Sequence, residues 1–524
     1  MKRYWSTPKP TNTWSALIAN IVESYISKEV PFRFRGIDFN FALSQGLFSS
    51  NDIDTGTRLL LRVLSQTWDG DMADLPAQLP PEGSPLPRSI LDAGCGVGVI
   101  GICAARALME LYAKFPAKPP AVCAGVSAEH PPPFFVRAQD RDELARLFTQ
   151  YNAEKNSPPS IPFAPIPLEA HTEPLLAFPA DRRWDLILTN IPAKAGESVL
   201  EDFVRRSMAA LNPGGRVIMV AVNPLINFFR TLINQNGVLV REEAGREHTV
   251  FVYRREEQAL PPQAGDREHT GPAAGGPVIA GEHFVRDNPF YLRSSGDYEM
   301  EGTGYHINAV HGAAEFDRPA FAAAAAAKLV SRLGLEKIYP PLNDTQAGVG
   351  GAILIHESGQ GHFPAWLLRY GARGMDGGAE KGPDFFQPKR LVLTGRNILA
   401  LEAARHNTRA ALAATVPDAA AAALSIQAIP QTELPTEPGV YGLIVAFPEW
   451  VPRTDRTDAF WEGLDRLLLP GGTALIALPS WEAEKFDRKK TASGPNGPHF
   501  TRLGDIKRQG FRALAYRKNQ DAKN

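Results

Sequence analysis

Two short segments of the chain combine residue types and spacing that suit chemistry. The first is Gly94-Cys95-Gly96-Val97-Gly98, which follows an apolar run and Asp92 and leads into a helical pattern over residues 102–113. This order predicts a strand, a tight loop and a helix. Glycines let backbone approach a ligand closely at the carboxyl end of a parallel strand, where open α/β sheets bind their ligands. The second segment is Asn190-Ile191-Pro192, directly after an apolar strand pattern over residues 184–189.

The glycine segment is compatible with two kinds of cofactor. Gly96, Gly98 and Gly101 have the spacing of the dinucleotide fingerprint, which expects an acid about 20 residues further on. The best such acid, Asp140, lies 42 residues after Gly98 (140 − 98). A carboxylate at Asp92 suits an ammonium group and repels a pyrophosphate, and S-adenosylmethionine has the ammonium and no phosphate. We therefore predict S-adenosylmethionine; a dinucleotide and a glycine turn without a ligand are the alternatives.

The predicted cofactor site includes five residues. Asp140 ends a second strand pattern over residues 134–140, where its carboxylate can accept hydrogen bonds from both ribose hydroxyls; a solvated surface aspartate is the alternative. The complete set of predicted cofactor residues is Asp92, Gly94, Gly96, Gly98 and Asp140.

Asn190-Ile191-Pro192 suits chemistry on a planar nitrogen. An exocyclic amine on a nucleobase is a poor nucleophile, because its lone pair is delocalised into the ring. The Asn190 side-chain oxygen and the Ile191 carbonyl can hold both N–H groups, while Pro192 fixes the turn and donates no competing N–H. Catalysis is then mainly orientation against a reactive sulfonium, with no metal and no covalent intermediate. The alternative is an ordinary turn.

The composition limits the class of protein. The chain has 524 residues, 44% of them hydrophobic and 22% charged, which predicts two or three globular domains. A net charge of −1 gives no global positive field for nucleic acid. Three cysteines form no disulfide framework, no His, Cys, Asp and Glu set has metal-ligand spacing, and neither a leader nor an apolar run of membrane-spanning length is present. We expect a soluble, cytoplasmic protein without a metal; its oligomeric state stays open.

Periodicity predicts the domain organisation. A helix is expected within residues 12–28 and a hairpin over 32–43, followed by alternating strands and helices as far as residue 254. This alternation predicts a mostly parallel, doubly wound sheet with helices on both faces. A proline- and alanine-rich insertion is expected at 117–133. The predicted domains are 1–254, catalytic, and 283–524, with a flexible linker at 255–282.

The second half of the chain repeats the first. The matches, in chain order, pair residues 96–98 with 359–361, 144–152 with 399–407, Pro192 with Pro448, and 213–215 with 470–472, at offsets of 263, 255, 256 and 257. In this alignment the polar residues of the first copy are replaced in the second: Asp92 by Ile355, Gly94 by Glu357, Asp140 by Gly395 and Asn190 by Ala446. The pattern predicts a tandem duplication whose second copy keeps the fold and has lost the site.

Four segments of the first copy resemble the methyltransferase small-domain family, class I S-adenosylmethionine-dependent enzymes that include tandem-domain ribosomal RNA guanine-N2 methyltransferases. The segments are Gly46-Leu47-Phe48-Ser49, Leu91 to Gly98, Thr189 to Gly196 and Leu211 to Gly215, within residues 35–254. The resemblance implies two tandem Rossmann-like class I methyltransferase domains. Well-known members carry two adjacent prolines and often an aromatic after the Asn; here Ile191 and Ala193 stand instead.

The resemblance implies a methyltransferase acting on the N2 amine of a guanine in ribosomal RNA, with free RNA or a ribosomal subunit as substrate and partner. Phe48 and Lys194 are the predicted substrate-binding residues; for Phe48 the alternative is a core aromatic. Methylation of another base amine or of a protein side-chain amide is the second hypothesis, since the same geometry serves any planar nitrogen. A non-catalytic RNA-binding or assembly protein is the third.

Overall fold

The chain folds into two compact units, residues 1–278 with 451–454 and residues 279–450 with 455–524. The computed structural model describes residues 13–48, 50–73, 86–114, 133–158, 165–179, 182–256, 284–314, 318–339, 351–373, 386, 388–415, 424–436, 440–449, 451–452, 454–489 and 499–519. The predicted insertion at 117–133 and the predicted linker at 255–282 lie outside this set, apart from residues 133, 255 and 256.

The first unit contains a two-stranded hairpin, a seven-stranded sheet and six α-helices among its described residues. The strands are β1 (Lys28–Phe34), β2 (Ile37–Leu43), β3 (Ser89–Ala93), β4 (Phe135–Asp140), β5 (Leu168–Thr172), β6 (Trp184–Asn190), β7 (Leu211–Val222), β8 (Val238–Ala244) and β9 (His248–Arg254). The helices are α1 (Thr13–Tyr25), α2 (Thr55–Ala73), α3 (Val99–Lys114), α4 (Glu143–Lys155), α5 (Glu197–Ala209) and α6 (Ile226–Asn236), the last preceded by a 3-10 turn (Asn223–Leu225).

The large sheet has the strand order β5-β4-β3-β6-β7-β9-β8. Its first five strands are parallel, and β9 runs antiparallel to both β7 and β8. The chain moves outward from β3 to β4 and β5 and then returns to the other side of β3 at β6. Ligands of open α/β sheets bind outside the carboxyl ends of strands at such a reversal, which is where the glycine loop after β3 and Asn190 of β6 lie.

Local sequence accounts for most of the elements. All five residues of β3 are buried, as expected for a central parallel strand. The hairpin turns at Arg35 and Gly36, both with positive φ (49° and 80°), the geometry that suits a two-residue turn. The hairpin starts four residues earlier than predicted, and the first helix is shorter than the predicted 12–28, because Lys28 already belongs to β1.

One side chain fixes the hairpin against the glycine loop. The Asn152 Oδ1 accepts the Ala42 N–H at 2.9 Å, and its Nδ2 donates to the carbonyls of Ala42 (3.1 Å) and Val97 (2.9 Å). Asn152 is fully buried on α4. Each polar atom of its carboxamide is therefore used to position backbone beside the site.

The second unit repeats this architecture. Its strands are β10 (Leu292–Met300), β11 (Thr303–Val310), β12 (Ala352–His356), β13 (Arg390–Gly395), β14 (Ser425–Pro430), β15 (Tyr441–Ala446), β16 (Leu468–Pro479), β17 (Phe500–Arg508) and β18 (Phe511–Lys518). Its helices are α7 (Phe284–Asp287), α8 (Phe321–Leu333), α9 (Leu335–Ile338), α10 (His362–Arg373), α11 (Ile398–Ala413), α12 (Thr457–Leu467) and α13 (Ser480–Lys489). A 3-10 turn covers Pro289–Tyr291.

The two units share strand order and internal contacts. The second sheet runs β14-β13-β12-β15-β16-β18-β17, the same order position by position. Asn407 on α11 repeats the Asn152 clamp: its Oδ1 accepts the Asn308 N–H at 2.9 Å, and its Nδ2 donates to the carbonyls of Asn308 (3.1 Å) and Gln360 (2.8 Å). The duplication predicted from the sequence is confirmed at the level of the fold.

Candidate active site

The glycine loop between β3 and α3 is shaped by positive backbone angles. The φ angles of Gly94, Gly96 and Gly98 are 78°, 56° and 87°, a region that side chains disfavour. A Cβ at Gly96 would meet nothing within 4 Å, and one at Gly94 would meet only Leu175 Cδ2 at 3.9 Å. A Cβ at Gly98 would lie 3.0 Å from the Thr149 side chain. Two glycines therefore leave an open face for a ligand, and the third permits packing against α4.

Asp140 lies beside this loop, at the end of β4. Its Oδ2 accepts the Gly96 N–H at 3.1 Å, and its Oδ1 accepts the Asp142 N–H at 3.0 Å. Burial raises the pKa of Asp140, and the charge of Asp142 raises it further, while the two N–H bonds act in the opposite direction. The structure thus places Asp140, the residue predicted to bind the ribose, beside the glycine loop.

Asp92 lies beneath the loop and is fully buried. Its Oδ2 accepts the Gly101 N–H at 2.8 Å, in the first turn of α3. Among the described residues, its Oδ1 has no hydrogen-bond partner. Burial raises the pKa of Asp92 to about 7, to which the charge of Asp140 adds, while the Gly101 N–H opposes the shift. A buried acceptor that lacks a donor is suited to a cationic group, and in this respect the site fits a ligand with an ammonium.

Asn190 ends β6 and has its side-chain nitrogen held in place. The Nδ2 donates to Asp54 Oδ2 at 2.9 Å and to Thr57 Oγ1 at 3.1 Å. Because a carboxylate only accepts, the nitrogen of the carboxamide must face Asp54 and the oxygen faces the other way. The oxygen is thereby presented as an acceptor, as the predicted chemistry requires.

The chain leaves the sheet within two residues of Asn190. Ile191 is buried and its N–H donates to the Val220 carbonyl at 3.2 Å, whereas Pro192 and Lys194 are exposed. The Pro192 carbonyl accepts the Ala195 N–H at 3.0 Å, which closes a turn. This segment therefore reaches the surface directly beyond the acceptor.

Phe48 is 71% exposed. The alternative of a core aromatic is therefore wrong, and the ring is available to a substrate. Contact between a substrate and either Phe48 or Lys194 stays a prediction.

The segment after β5 lies beside the glycine loop and was not predicted from the sequence. β5 itself shows no strand pattern in the sequence, because its five residues are only partly buried or exposed. Gln139 donates to the carbonyls of Leu175 and Ala177, while Arg137, itself 6% exposed, donates to Glu173 at 2.6 Å. Leu175, whose φ is 31°, is thus fixed next to Gly94. The charged and amide residues within β4 were the available signal.

The equivalent loop of the second unit is filled by its own side chain. Glu357 stands where Gly94 stands in the first unit, with a φ of 55°. Its Oε1 accepts the Arg396 N–H at 3.1 Å, and its Oε2 lies 3.0 Å from the position that a Cβ on Gly395 would take. Gly395 is the equivalent of Asp140, so the carboxylate of Glu357 takes the place beside the strand end that Asp140 holds in the first unit.

A hydrogen bond of the first unit has lost both partners in the second. At the offset of 263, Ile355 replaces Asp92 and Pro364 replaces Gly101. The isoleucine offers no acceptor and the proline no N–H. The two changes are matched, since either alone would leave a buried polar group without its partner.

Strand register corrects the alignment at Asn190. In the first unit Ile90 of β3 pairs with Leu186 of β6, and in the second the equivalent Ile353 pairs with Leu443. These pairs give an offset of 257 (443 − 186) for β6 and β15. The predicted offset of 256 was wrong by one residue.

The corrected offset places Phe447 at the position of Asn190. The prediction of Ala446 there was wrong, because Ala446 is the equivalent of Thr189. The shared proline misled the sequence alignment, since Pro448 is the equivalent of Ile191. The Phe447 ring packs on Phe363, with 5.4 Å between ring centroids. An aromatic side chain thus stands where the first unit has its carboxamide.

Two further properties concern the described residues alone. They contain no group of three or more His, Cys, Asp and Glu side chains arranged to hold a metal ion. Of the helices that the structure describes, none combines the length and apolar character needed to cross a membrane.

Comparisons with known proteins find a family match in the first unit. The family model described as the methyltransferase small domain matches residues 38–115. The uncharacterized protein YbxB of Bacillus subtilis (strain 168) is 25% identical over 189 residues, which is 36% of this chain and 71% of YbxB.

Solved structures of methyltransferases resemble this chain to different extents. The T. thermophilus 16S rRNA N2 G1207 methyltransferase (RsmC), in complex with AdoMet and guanosine, superimposes with a TM-score of 0.50 and 16% identity over 95% of this chain and 100% of that chain. The ribosomal protein L11 methylase of Lactobacillus delbrueckii subsp. bulgaricus gives a TM-score of 0.27 and 18% identity over 41% of this chain and 84% of its own.

The resemblance to the methyltransferase small-domain family and the predicted fold of two tandem Rossmann-like class I methyltransferase domains are confirmed. The family match and the fold indicate an S-adenosylmethionine-dependent methyltransferase, with S-adenosylmethionine as the cofactor.

Proposed function

We propose that this S-adenosylmethionine-dependent methyltransferase methylates the exocyclic N2 amine of a guanine in ribosomal RNA, and that the first unit does so. The observation that carries the proposal is the Asn190 carboxamide, whose oxygen is presented as an acceptor at the end of β6 beside the open glycine loop. The structural neighbour named for N2 methylation of 16S rRNA supports the same class of substrate.

The residues around the glycine loop hold the cofactor in this proposal. Asp92 Oδ1 receives the ammonium, Asp140 accepts from the ribose hydroxyls, and Gly94, Gly96 and Gly98 let the backbone come close. Bound S-adenosylmethionine supplies an electrophilic methyl group. Asp92 and Asp140 would hold the cofactor at the end of the sheet where Asn190 also lies.

Asn190 and Ile191 orient the amine. The Asn190 Oδ1 and the Ile191 carbonyl accept its two N–H groups, which turns the nitrogen lone pair toward the methyl carbon. Held in this way, the amine would take up the methyl group that the cofactor supplies and would give one proton to water, while the rest of the cofactor would leave as the demethylated thioether. Most of the rate comes from this alignment, since an aligned pair of reactants avoids a large entropic cost.

The exposed residues around Asn190 serve the RNA. A base in folded RNA must be extruded before its amine can reach the methyl group, and an extruded base is held by stacking. Phe48, exposed and aromatic, is the proposed stacking partner, and Lys194 is the proposed contact to the phosphate backbone.

The second unit has a supporting role in this proposal. We assign residues 1–254 to the catalytic domain, 255–282 to the linker and 283–524 to a degenerate domain. Glu357, Ile355 and Phe447 stand where the cofactor and amine residues stand in the first unit. With a net charge of −1 the chain has little nonspecific attraction for RNA, so a second domain is proposed to hold the RNA or to buttress the first domain.

Transfer of labelled methyl groups tests the proposal. The full chain is incubated with labelled S-adenosylmethionine and, separately, deproteinised ribosomal RNA, assembled ribosomal subunits and a protein extract, with Asn190→Ala as the matched control. We expect N2-methylguanosine in digested RNA and its loss in the control. Label in protein alone, or on another base, would show that the guanine N2 amine is not the substrate. No transfer to any of the three would favour a non-catalytic RNA-binding protein.

A further inference from the structure

The start of α2 holds Asn190 through two side chains. Asp54 Oδ2 and Thr57 Oγ1 accept from the Asn190 Nδ2 at 2.9 and 3.1 Å. The same Asp54 oxygen also accepts the Thr57 backbone N–H at 3.1 Å, which caps the helix. One oxygen therefore joins the beginning of a helix to the end of a strand 136 residues away.

We propose that Asp54 and Thr57 are positioning residues for methyl transfer, because they fix the direction of the Asn190 carboxamide. A carboxamide can lie in two orientations that differ by exchange of its oxygen and nitrogen. With the nitrogen turned away from Asp54, the site would offer N–H donors to an amine that itself donates. Asp54 excludes that orientation, since it only accepts. The inference rests on the proposed function, in which the Asn190 oxygen receives an N–H of the substrate.

Packing makes this anchor stiff. A Cβ at Gly56 would lie 2.8 Å from Asp54 Oδ2 and 2.9 Å from the His248 ring, so a larger residue there would displace one of these side chains. The Thr55 hydroxyl lies 3.3 Å from His248 Nδ1, on β9. The start of α2 is thus held against the sheet that carries Asn190.

The second unit provides an internal comparison for the start of the helix. The hairpin turns at Gly36 and Gly302 and the clamped residues Ala42 and Asn308 both differ by 266 positions. The same shift without a gap brings Asp54 to Ala320, the residue before α8.

All three members of the contact are therefore lost together. Ala320 replaces Asp54, Ala323 replaces Thr57 and Phe447 replaces Asn190. Ala320 makes no side-chain cap hydrogen bond, although α8 is retained. A cap alone would serve the helix in either unit. Loss of the acceptors together with the carboxamide fits a function shared with Asn190.

Four variants separate positioning from capping. Thr57→Val removes the hydroxyl and keeps the capped backbone N–H. Asp54→Ala removes both the helix cap and the acceptor for Asn190. Asp54→Asn keeps one side-chain oxygen, and a hydrogen bond from the Thr57 N–H would hold that oxygen at the position of Asp54 Oδ2. The control is Asn397→Ala, which removes a comparable cap in the second unit, where Asn397 Oδ1 accepts the Leu399 N–H at 3.0 Å. The measurements are kcat and KM with ribosomal RNA and the cofactor Kd by calorimetry.

We expect Asp54→Ala to lower kcat about 10- to 100-fold, the scale of a small misplacement at a reacting centre, while the cofactor Kd stays near wild type. Thr57→Val should lower kcat less, and it still tests the inference if Asp54→Ala fails to fold. Asp54→Asn should recover most of the loss. The double variant of Asp54→Ala and Asn190→Ala should be no slower than Asn190→Ala, because positioning acts through Asn190.

The outcomes also distinguish the two proposals. Asp54 would be only a structural cap if the loss of kcat in the double variant were the product of the two single losses. The same conclusion would follow if Asn397→Ala lowered kcat as much as Asp54→Ala does. An unchanged kcat in both Asp54→Ala and Thr57→Val, with Asn190→Ala slow, would overturn the positioning inference alone. An unchanged rate in Asn190→Ala would overturn the proposed mechanism and the inference with it.

Discussion

The affinity for S-adenosylmethionine should depend on pH through Asp92. Its pKa of about 7 in the cofactor-free protein reflects burial, and the ammonium of a bound cofactor would lower that pKa. If the ionised form binds, mass action gives about 1% of the competent state at pH 5 and about 50% at pH 7. The association constant should therefore rise about 50-fold between those pH values. Above pH 8 it should fall again, as an α-amino group loses its proton near 7.7–8.0.

Titration calorimetry in buffers of different ionisation enthalpy measures both this affinity and the protons released. Asp92→Asn should bind more weakly at pH 7.5 and lose most of the dependence between pH 5 and 7. Because the pKa of Asp140 is also raised, Asp140→Asn is measured in parallel to separate the two carboxylates. An affinity independent of pH in the wild type would show that Asp92 only braces the loop and does not meet the ammonium.

The same pKa predicts the stability of the cofactor-free protein. The pKa of Asp92 is raised in the folded state. Its contribution to the free energy of unfolding is therefore fully present below about pH 4, the pKa of an aspartate in the unfolded chain, and is lost as the pH rises through 7. Asp92→Asn should therefore unfold at a higher temperature than wild type at pH 8, measured by calorimetric melting. A lower melting temperature at that pH would contradict the burial argument.

The remaining predictions concern binding, turnover and the second unit. Asp140→Ala should weaken cofactor binding by about 1.5–3 kcal/mol, the range for hydrogen bonds to a charged group; unchanged calorimetric affinity would remove it from the ribose site. Asn190→Ala should lower turnover at near-normal cofactor affinity, and an unchanged rate would make it a turn residue. Calorimetry should find one cofactor per chain, because Glu357 fills the second loop; two equivalent sites would refute this. A folded fragment of residues 1–256 should bind the cofactor but methylate the natural RNA poorly. The isolated second half should transfer no methyl group. Equal activity of the fragment and the full chain would mean that the second unit has a role other than holding the substrate.

The sequence was sufficient where local pattern determines structure. The turn at Gly94, Gly96 and Gly98 can be predicted from these residue types alone, and the apolar run before it predicts a central strand. The position of Asp140 beside the loop could be predicted because it ends the following strand pattern. The duplication was visible for the same reason, since loop glycines and helix patterns persist in the second copy.

Long-range contacts were beyond the reach of these patterns. Asp54 lies 136 residues from Asn190 in the sequence, and only folding brings the two side chains together. β5 was missed because its half-exposed polar residues show no apolar alternation. The register at Phe447 was missed because a proline shared by the two copies outweighed strand pairing, which the sequence does not display.

The matched replacement of Asp92 and Gly101 by Ile355 and Pro364 bears on how this chain can evolve. Ile355→Asp alone would bury a carboxylate opposite a residue with no N–H to offer, and an uncompensated buried charge costs several kcal/mol. Pro364→Gly alone would point an N–H at an isoleucine that cannot accept it. Either reversion of this pair made alone therefore gives a less stable protein than the one it starts from. On the proposal that the second unit does not bind the cofactor, restoring this hydrogen bond would therefore require both replacements together.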